Sequence, residues 1–382
     1  MEIGELVGTL LFTFVGLLLL CFGGYSLVSG GVAIAKKLRI STLIIGLTVV
    51  AYGTSTPELA VSVTSAFVGE TDLILGNVIG SNIANIGMVV GISAIAALLI
   101  SRRQISKENK LWLGVEMDKK TLSRWIPIML GISALLIILT TANNNNISRE
   151  IGYLFIAILV GLTFYTFHRA KNTEQSIKKQ EIKDTLTEDV PDQSEYVDEH
   201  TIGYFLRKVE KQNPVVLIVI GAVALCVGGM MTIYGSLDIA VGLGVSTTVV
   251  GIVIVAIGTS LPELVTSIIA IKKGETNIGI GNIIGSNIYN ILLILGVSAI
   301  IAGNLSTASL FGPTQVQNLV PNDFGIMIVF SVIILLFLLW NKIPFITKWR
   351  GTKFIGTIPW GGGIILVIMY TIYLIRTSLG IA

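Results

Sequence analysis

The sequence predicts an all-α integral membrane protein whose ten transmembrane helices form two inverted-topology five-helix repeats. Three observations lead to this prediction. The 382 residues are 53% hydrophobic and only 13% charged, which lies outside the usual composition of soluble proteins. Ten apolar runs are long enough to cross a bilayer, and the second half of the chain repeats the first. This composition argues against soluble enzymes and nucleic-acid-binding proteins, and two Cys and two His leave little for a disulfide framework or a His-rich metal site.

Each predicted helix corresponds to an apolar run close to or above the roughly 20 residues that span a bilayer. The runs cover residues 5–35, 40–68, 73–100, 125–142, 151–168, 213–240, 245–271, 277–302, 324–341 and 357–376. The hydrophilic stretch 169–212 separates the fifth helix from the sixth, and we interpret it as a solvated linker because it lacks the glycine and ligand spacing of an EF-hand.

The basic residues predict the orientation, because basic loops stay in the cytoplasm. Alternate loops, beginning with the one after the first helix, hold 24 of the 26 Lys and Arg residues, and the exceptions are Arg149 and Arg376. The sequence therefore predicts a multi-pass protein of the cell membrane with both termini outside and 169–212 in the cytoplasm. Asp238 is expected near the outer end of the sixth helix, either as a cation-attracting group or as an ordinary helix-end carboxylate.

The two halves of the chain are copies. Residues 53–91 align without a gap with residues 258–296, at a constant offset of 205 and with 20 identities in 39 positions. Five helices per copy is an odd number, so the second copy enters the membrane from the opposite side. Inverted repeats of this kind are typical of secondary transporters, which bind substrate near the middle of the membrane. The predicted domains are a first repeat over 1–168 with its repeated motif at about 51–91, the linker 169–212, and a second repeat over 213–382 with its motif at about 256–296.

Glu58 and Glu263 lie inside the second and seventh predicted helices, at equivalent positions of the two repeats. An ionisable group at such a depth costs about 2.5–3.5 kcal/mol on insertion scales, so its presence indicates a functional site. A proline precedes each glutamate and removes one helical hydrogen bond, which frees the carbonyl four residues before it. Thr54, four residues before Glu58, is expected on the same helix face. The freed carbonyls, the two carboxylates and the neighbouring hydroxyls predict a cluster of oxygens: Thr54, Ser55, Thr259 and Ser260 supply the hydroxyls, and Pro57 and Pro262 the breaks.

The third and eighth predicted helices each carry a polar stripe. Its members are spaced four residues apart and are therefore on one helix face. The stripes are Asn77, Ser81 and Asn85 in the first repeat, and Asn282, Ser286 and Asn290 in the second. We expect Asn77 and Asn282 to serve partly in hydrogen bonds between helices.

Carboxylate, hydroxyl, amide and carbonyl oxygens without Cys or His are the ligands of hard cations. Ca²⁺ takes six to eight such oxygens, and Na⁺ shares this chemistry. Two ionised glutamates also balance the charge of one Ca²⁺, which allows a dehydrated ion to occupy a low-dielectric site. The sequence therefore predicts a calcium or sodium site rather than a transition-metal site, and no catalytic residues.

The segments GTSTPEL with GNVIGSNIAN, and GTSLPEL with GNIIGSNIYN, resemble the paired α-repeats of the sodium/calcium exchanger family, within the cation/calcium antiporter superfamily. The resemblance implies that Glu58 and Glu263 bind Ca²⁺ together with the backbone oxygens of Thr54 and Thr259. It implies sodium sites formed by Ser55, Ser81, Ser260, Ser286 and the carbonyls of Ala51 and Ala256, with Asn85 near the centre. It also implies that the long first and sixth helices slide to alternate access.

One position departs from the family pattern. Asn290 stands where family members frequently carry an aspartate, so the two glutamates are expected to hold all the ionic charge of the site. The sequence predicts an antiporter that exchanges Na⁺ for Ca²⁺ and normally extrudes Ca²⁺ from the cytoplasm. The residues also permit exchange of two H⁺ for one Ca²⁺, and a cation channel is a further alternative. No enzyme activity, resident cofactor, nucleic acid or obligate protein partner is expected, and the partners are the two ions and the lipid bilayer.

Overall fold

The computed structural model is almost entirely helical over the part of the chain that it describes. The described residues are 3–38, 40–101, 114–116, 121–184, 212–242, 256–306, 323–340 and 357–379. Many of the basic loop residues used to predict the orientation, and most of the predicted linker, lie outside these ranges.

Fifteen helices are described. In the first half they are α1 (Ile3–Leu38), α2 (Thr42–Ile45), α3 (Ala51–Thr54), α4 (Thr56–Val68), α5 (Thr71–Ala84), α6 (Gly91–Ser101), α7 (Ile126–Ala142) and α8 (Arg149–Asp184). In the second half they are α9 (Pro214–Gly242), α10 (Ala256–Thr259), α11 (Leu261–Lys272), α12 (Thr276–Tyr289), α13 (Gly296–Ala302), α14 (Asp323–Trp340) and α15 (Trp360–Leu379). Short π-helical segments cover Gly46–Val50, Asn85–Val90, Thr121–Trp125 and Asn290–Leu295.

Seven helices in the described part are long and apolar enough to cross a membrane. An eighth span is present if the bent pair Thr42–Thr54 and Thr56–Val68 counts as one. Two of the ten predicted spans are not among them. The run 245–271 begins outside the described residues, and the apolar part of α14, Asp323–Leu336, is short. The chain is therefore an all-helical, multi-pass membrane protein.

The second predicted helix is broken next to its acid. α3 ends at Thr54, Ser55 forms a turn, and α4 begins with Pro57 in its first turn, at a bend of 48°. Proline fits the first turn of a helix because the N–H that it lacks would be unpaired there. The break at Ser55 separates Thr54 from Glu58, so their spacing of four residues does not by itself place them on one helix face.

The fifth predicted helix is longer than the apolar run suggests. α8 begins at Arg149 and continues to Asp184, beyond the predicted end at residue 168. The first part of the stretch 169–212 is therefore helical, and its residues 185–211 lie outside the described part of the chain.

Local structure repeats at the offset seen in the sequence. α3 and α10 occupy equivalent residues 205 apart, and so do α5 and α12. The π-helical segments that begin at Asn85 and Asn290 also coincide at this offset. Each half therefore places a short helix, a break, a glutamate and a π-helical turn in the same order.

Two small sheets connect the halves. β1 (Gly114–Glu116), after α6, pairs antiparallel with β4 (Thr357–Pro359), before α15. β2 (Asn146–Ser148), before α8, pairs antiparallel with β3 (Asn304–Ser306), after α13. Each sheet thus joins the end of the third predicted span of one half to the start of the fifth predicted span of the other.

α1 and α9 pack along one another through glycines. A Cβ atom on Gly23 would lie 2.8 Å from the Gly221 carbonyl oxygen, and one on Gly16 would lie 2.9 Å from that of Gly228. The residue numbers of the contacts rise along α1 while they fall along α9, so the two helices are antiparallel. Only a residue without a side chain permits backbones to approach this closely, as in other membrane helix pairs.

Alanine at Gly23 is therefore expected to push α1 and α9 apart and to destabilise the protein by about 1–3 kcal/mol, the usual cost of overpacking. The midpoint of thermal unfolding in detergent measures the change. Gly8→Ala on the same helix is the control, because a Cβ there meets nothing within 4 Å. Equal unfolding midpoints for Gly23→Ala and Gly8→Ala would contradict the close packing.

Candidate cation-binding site

The two glutamates predicted from the sequence are both buried in the described structure. Glu58 is 1% exposed and Glu263 is 0% exposed, each in the first turn of the helix that follows a break. The positive end of a helix dipole favours an anion at this position. Ser55, three residues before Glu58, donates its hydroxyl to Glu263 Oε1 at 3.2 Å, which connects the start of one acid's helix to the other acid. The site therefore places two acids, one from each half, in a common enclosed region.

Hydroxyl groups from both halves bind Glu263. Ser55 Oγ donates to Glu263 Oε1 at 3.2 Å, and Ser286 Oγ donates to the same oxygen at 3.3 Å. Ser55 is the turn residue at the break of the first half, so this break points a hydroxyl at the acid of the second half. The hydrogen bond that Ser55 makes is a direct connection between the repeats at the site.

Two further hydroxyl pairs are related by the 205-residue offset. Thr54 Oγ1 and Ser286 Oγ are 3.4 Å apart, and Ser81 Oγ and Thr259 Oγ1 are 3.3 Å apart. Thr54 Oγ1 also donates to Asn282 Oδ1 at 2.9 Å. The hydroxyls that were predicted from the two repeats therefore meet across the interface between the halves.

Asn77 holds the first acid's helix in place. Its Nδ2 donates to the Glu58 backbone oxygen at 3.1 Å and to Ser62 Oγ at 2.9 Å, which joins α5 to α4. This confirms the expectation of hydrogen bonding between helices for Asn77. Asn282, which accepts from Thr54, does the same between α12 and α3.

The two backbone carbonyls predicted from the resemblance have different surroundings. The Ala51 carbonyl oxygen accepts from the Ser55 N–H at 3.0 Å and lies 3.3 Å from the Thr54 hydroxyl. In the second half, the Ser260 N–H donates to Ile257 instead, at 3.2 Å. Ser55 thus bonds to the carbonyl four residues before it, whereas Ser260 bonds to the carbonyl three residues before it.

Several buried oxygens of the site have no hydrogen-bond partner in the described structure. Buried polar atoms are nearly always paired, so a group of unpaired acceptors indicates a site for a ligand that accepts their lone pairs. They are Glu58 Oε2, Glu263 Oε2, Asn85 Oδ1, Asn290 Oδ1 and Ser260 Oγ. Within the described residues no group of three or more His, Cys, Asp and Glu is present, so the other ligands available to a cation are neutral oxygens.

Sequence analysis overlooked two buried asparagines, Asn82 and Asn287. Asn85 Nδ2 donates to Asn287 Oδ1 at 2.9 Å, and Asn290 Nδ2 donates to Asn82 Oδ1 at 2.9 Å. Both residues follow the serine of the GSN motif and are equivalent in the repeats. That repetition was the signal that could have identified them. Elsewhere in the described part, Asp238 is exposed and Cys21 and Cys226 are free thiols.

Known proteins resemble the chain over most of its length. The family model described as sodium/calcium exchanger protein matches residues 8–168 and 213–379. CaxA of Alkalimonas amylolytica is 33% identical over 307 residues, which cover 80% of this chain and 85% of CaxA. The sodium/calcium exchanger MaX1 of Methanosarcina acetivorans is 30% identical over 354 residues, which cover 88% of this chain and 92% of MaX1.

A solved structure of the sodium-calcium exchanger NCX_Mj has the same fold. It aligns with a TM-score of 0.68 at 24% identity, over 97% of this chain and 98% of the other. The match to the family model makes the chain a membrane transporter rather than an enzyme. The chain belongs to the sodium/calcium exchanger family of antiporters.

Proposed function

We propose that the chain exchanges Na⁺ for Ca²⁺ across the cell membrane by alternating access and normally extrudes Ca²⁺ from the cytoplasm. The observation that carries the proposal is the enclosed pair of glutamates, one from each half, each with an unpaired oxygen. Two carboxylates neutralise one dehydrated Ca²⁺, and the surrounding neutral oxygens complete its usual coordination of six to eight. The direction follows from the inward Na⁺ gradient that cells maintain.

The proposed ligands are the residues that the sequence indicated. Glu58 and Glu263 bind Ca²⁺ with backbone oxygens of Thr54 and Thr259. Na⁺ ions occupy sites built from Ser55, Ser81, Ser260, Ser286 and the carbonyls of Ala51 and Ala256, with Asn85 near the centre and Asn290 as a further polar ligand. Supporting this assignment, the side chains of the two glutamates and of these serines, threonines and asparagines are at most 4% exposed.

The architecture that we propose has ten spans in two inverted repeats, 1–168 and 213–382, joined by a cytoplasmic linker. Both termini lie outside the cell. The element boundaries that recur at an offset of 205 support the repeat, and the two sheets support its inversion. An antiparallel α1 and α9, packed through glycines, is also what inverted copies of one helix would form.

Alternating access requires that part of the protein moves past the site. We assign this movement to the pair α1 and α9, which has many large apolar side chains exposed along α1. Their close backbone contact makes them one body, and sliding of that body would open the site first to one side and then to the other.

Uptake of labelled calcium into vesicles that hold the purified protein tests the function. The vesicles are loaded to give an outward Na⁺ gradient, an outward H⁺ gradient, or neither, and uptake is expected only with the Na⁺ gradient. Uptake driven only by protons would replace Na⁺ by H⁺ as the counter-ion. Equal uptake under all three conditions would contradict antiport and indicate a channel.

A further inference from the structure

Four buried asparagines form two hydrogen-bonded pairs that join the two halves. Asn85 and Asn290, the site asparagines, each keep an unpaired Oδ1 in the enclosed region. Asn82 and Asn287, the orienting asparagines, accept from the Nδ2 groups of the site asparagines at 2.9 Å. All four are between 1% and 2% exposed. Each pair crosses between the halves, since Asn287 holds Asn85 and Asn82 holds Asn290.

The side-chain amide of asparagine ends in an NH₂ group and an oxygen, and its hydrogen-bond partner determines which of the two faces that partner. The NH₂ group only donates and the oxygen only accepts. Because the Oδ1 of an orienting asparagine can only accept, it faces the NH₂ of the site asparagine. The oxygen of the site asparagine is then at the other end of the amide, where it is buried without a hydrogen-bond partner and remains available to a cation. With the amide reversed, the NH₂ group would point into the site and repel a cation.

The orienting asparagines are themselves fixed by groups that only accept. Asn82 Nδ2 donates to the Asn287 backbone oxygen at 3.3 Å and lies 3.7 Å from Met327 Sδ on α14. Asn287 Nδ2 lies 3.6 Å from Met129 Sδ on α7. Thioether sulfur is a weak acceptor, so these contacts select an orientation more than they add stability. Each chain of contacts therefore runs from a buried methionine on another helix, through an orienting asparagine, to a site asparagine.

We propose that Asn82 and Asn287 are positioning residues that fix the amide orientation of Asn290 and Asn85, so that each presents its oxygen to the transported cation. This inference rests on the proposed exchange function and adds a residue pair to it. Partners that orient a metal ligand commonly contribute about 10- to 100-fold to metal affinity. Neither orienting asparagine touches the ion itself.

The test introduces Asn82→Leu into the unaltered protein and into the Asn290→Asp variant. Leucine has a shape similar to that of asparagine but lacks the oxygen that accepts from Asn290. In the otherwise unaltered protein, Asn82→Leu is expected to raise the Kd for Ca²⁺ by about tenfold or more. In the Asn290→Asp background at pH 8 its effect is expected to fall below about threefold, because a carboxylate presents an oxygen in either orientation. Calcium titration of the purified protein gives the Kd, and thermal unfolding reports the fold. Asn287→Leu with Asn85→Asp repeats the test for the second pair.

Ser133→Ala and Ser331→Ala are matched controls, since these buried hydroxyls donate only to Met129 and Met327 backbone oxygens of their own helices. An unchanged Kd in well-folded Asn82→Leu and Asn287→Leu would overturn the inference. An equal loss of Ca²⁺ affinity in both backgrounds would show a general structural role and would also overturn the inference. The same holds if Asn82→Leu or Asn287→Leu lowers the unfolding midpoint and the added Asn290→Asp or Asn85→Asp does not restore it. Na⁺-driven Ca²⁺ uptake is also measured with the unaltered protein and with Ser133→Ala. Uptake by both would leave the proposed function standing even where the inference about the asparagines fails, whereas no uptake by either would overturn both proposals.

Discussion

Glu58→Gln and Glu263→Gln are each expected to reduce Na⁺-driven Ca²⁺ uptake by at least about 100-fold, because removal of one partner of a buried charge pair costs about 3–5 kcal/mol. Glutamine keeps the shape and one acceptor oxygen, so Ser55 and Ser286 retain a partner at position 263. What is lost is one negative charge, and Ca²⁺ in the site is then left with a net charge of +1 in a low-dielectric environment. Initial rates of labelled-calcium uptake into vesicles measure the loss.

The matched controls are Glu70→Gln and Glu275→Gln. These acids are also equivalent in the two repeats, but they precede α5 and α12 outside the enclosed region. Their replacement is expected to leave uptake within about twofold of normal, as for most surface changes. Coupled uptake that survives in either site variant would contradict a site that needs both carboxylates. Calcium flux that continues without counter-ion coupling would instead favour a channel.

The second large effect concerns voltage. Glu58 and Glu263 are the only charged side chains that are almost completely enclosed in the described part of the chain. With these two negative charges, a site that carries Ca²⁺ is neutral, whereas one that carries three Na⁺ has a charge of +1. The paired serine and threonine hydroxyls of the two halves supply places for more Na⁺ than charge balance requires. If three Na⁺ leave the vesicle for each Ca²⁺ that enters, each cycle moves one positive charge outward.

A membrane potential of about 100 mV, positive inside, contributes about 2.3 kcal/mol to the outward movement of one charge. Calcium accumulation at equilibrium is then expected to rise about 40-fold, and to fall as much at the opposite potential. A potassium gradient with valinomycin sets the membrane potential. Vesicles that hold Glu263→Gln protein measure the Ca²⁺ that enters without exchange. Accumulation that does not depend on the potential would contradict three-for-one exchange and support an electroneutral exchange, such as two H⁺ or two Na⁺ for one Ca²⁺.

Much of the site could be predicted because membrane insertion makes its residues conspicuous. An acid in an apolar span is costly, and the same acid at the same place in both repeats is hard to explain otherwise. Glu58, Glu263 and the serines and threonines beside them were identified in this way. The stripe of residues four apart selected Ser81 and Asn85 but passed over Asn82, which is one residue out of register with it. Side-chain spacing within one helix does not reveal a partner on another helix.

The sequence by itself determined the chemistry of this protein: an all-helical membrane chain, two copies of one motif, and two acids among neutral oxygens. Composition, hydropathy and repetition are properties of the sequence itself, so they do not depend on how the helices pack. The prolines already indicated an interruption next to each glutamate, but only the tertiary structure decided that Ser55 binds Glu263 and that Asn82 binds Asn290. These contacts join residues more than 200 positions apart. Their partners depend on how the two halves pack together, which no local pattern of residues specifies.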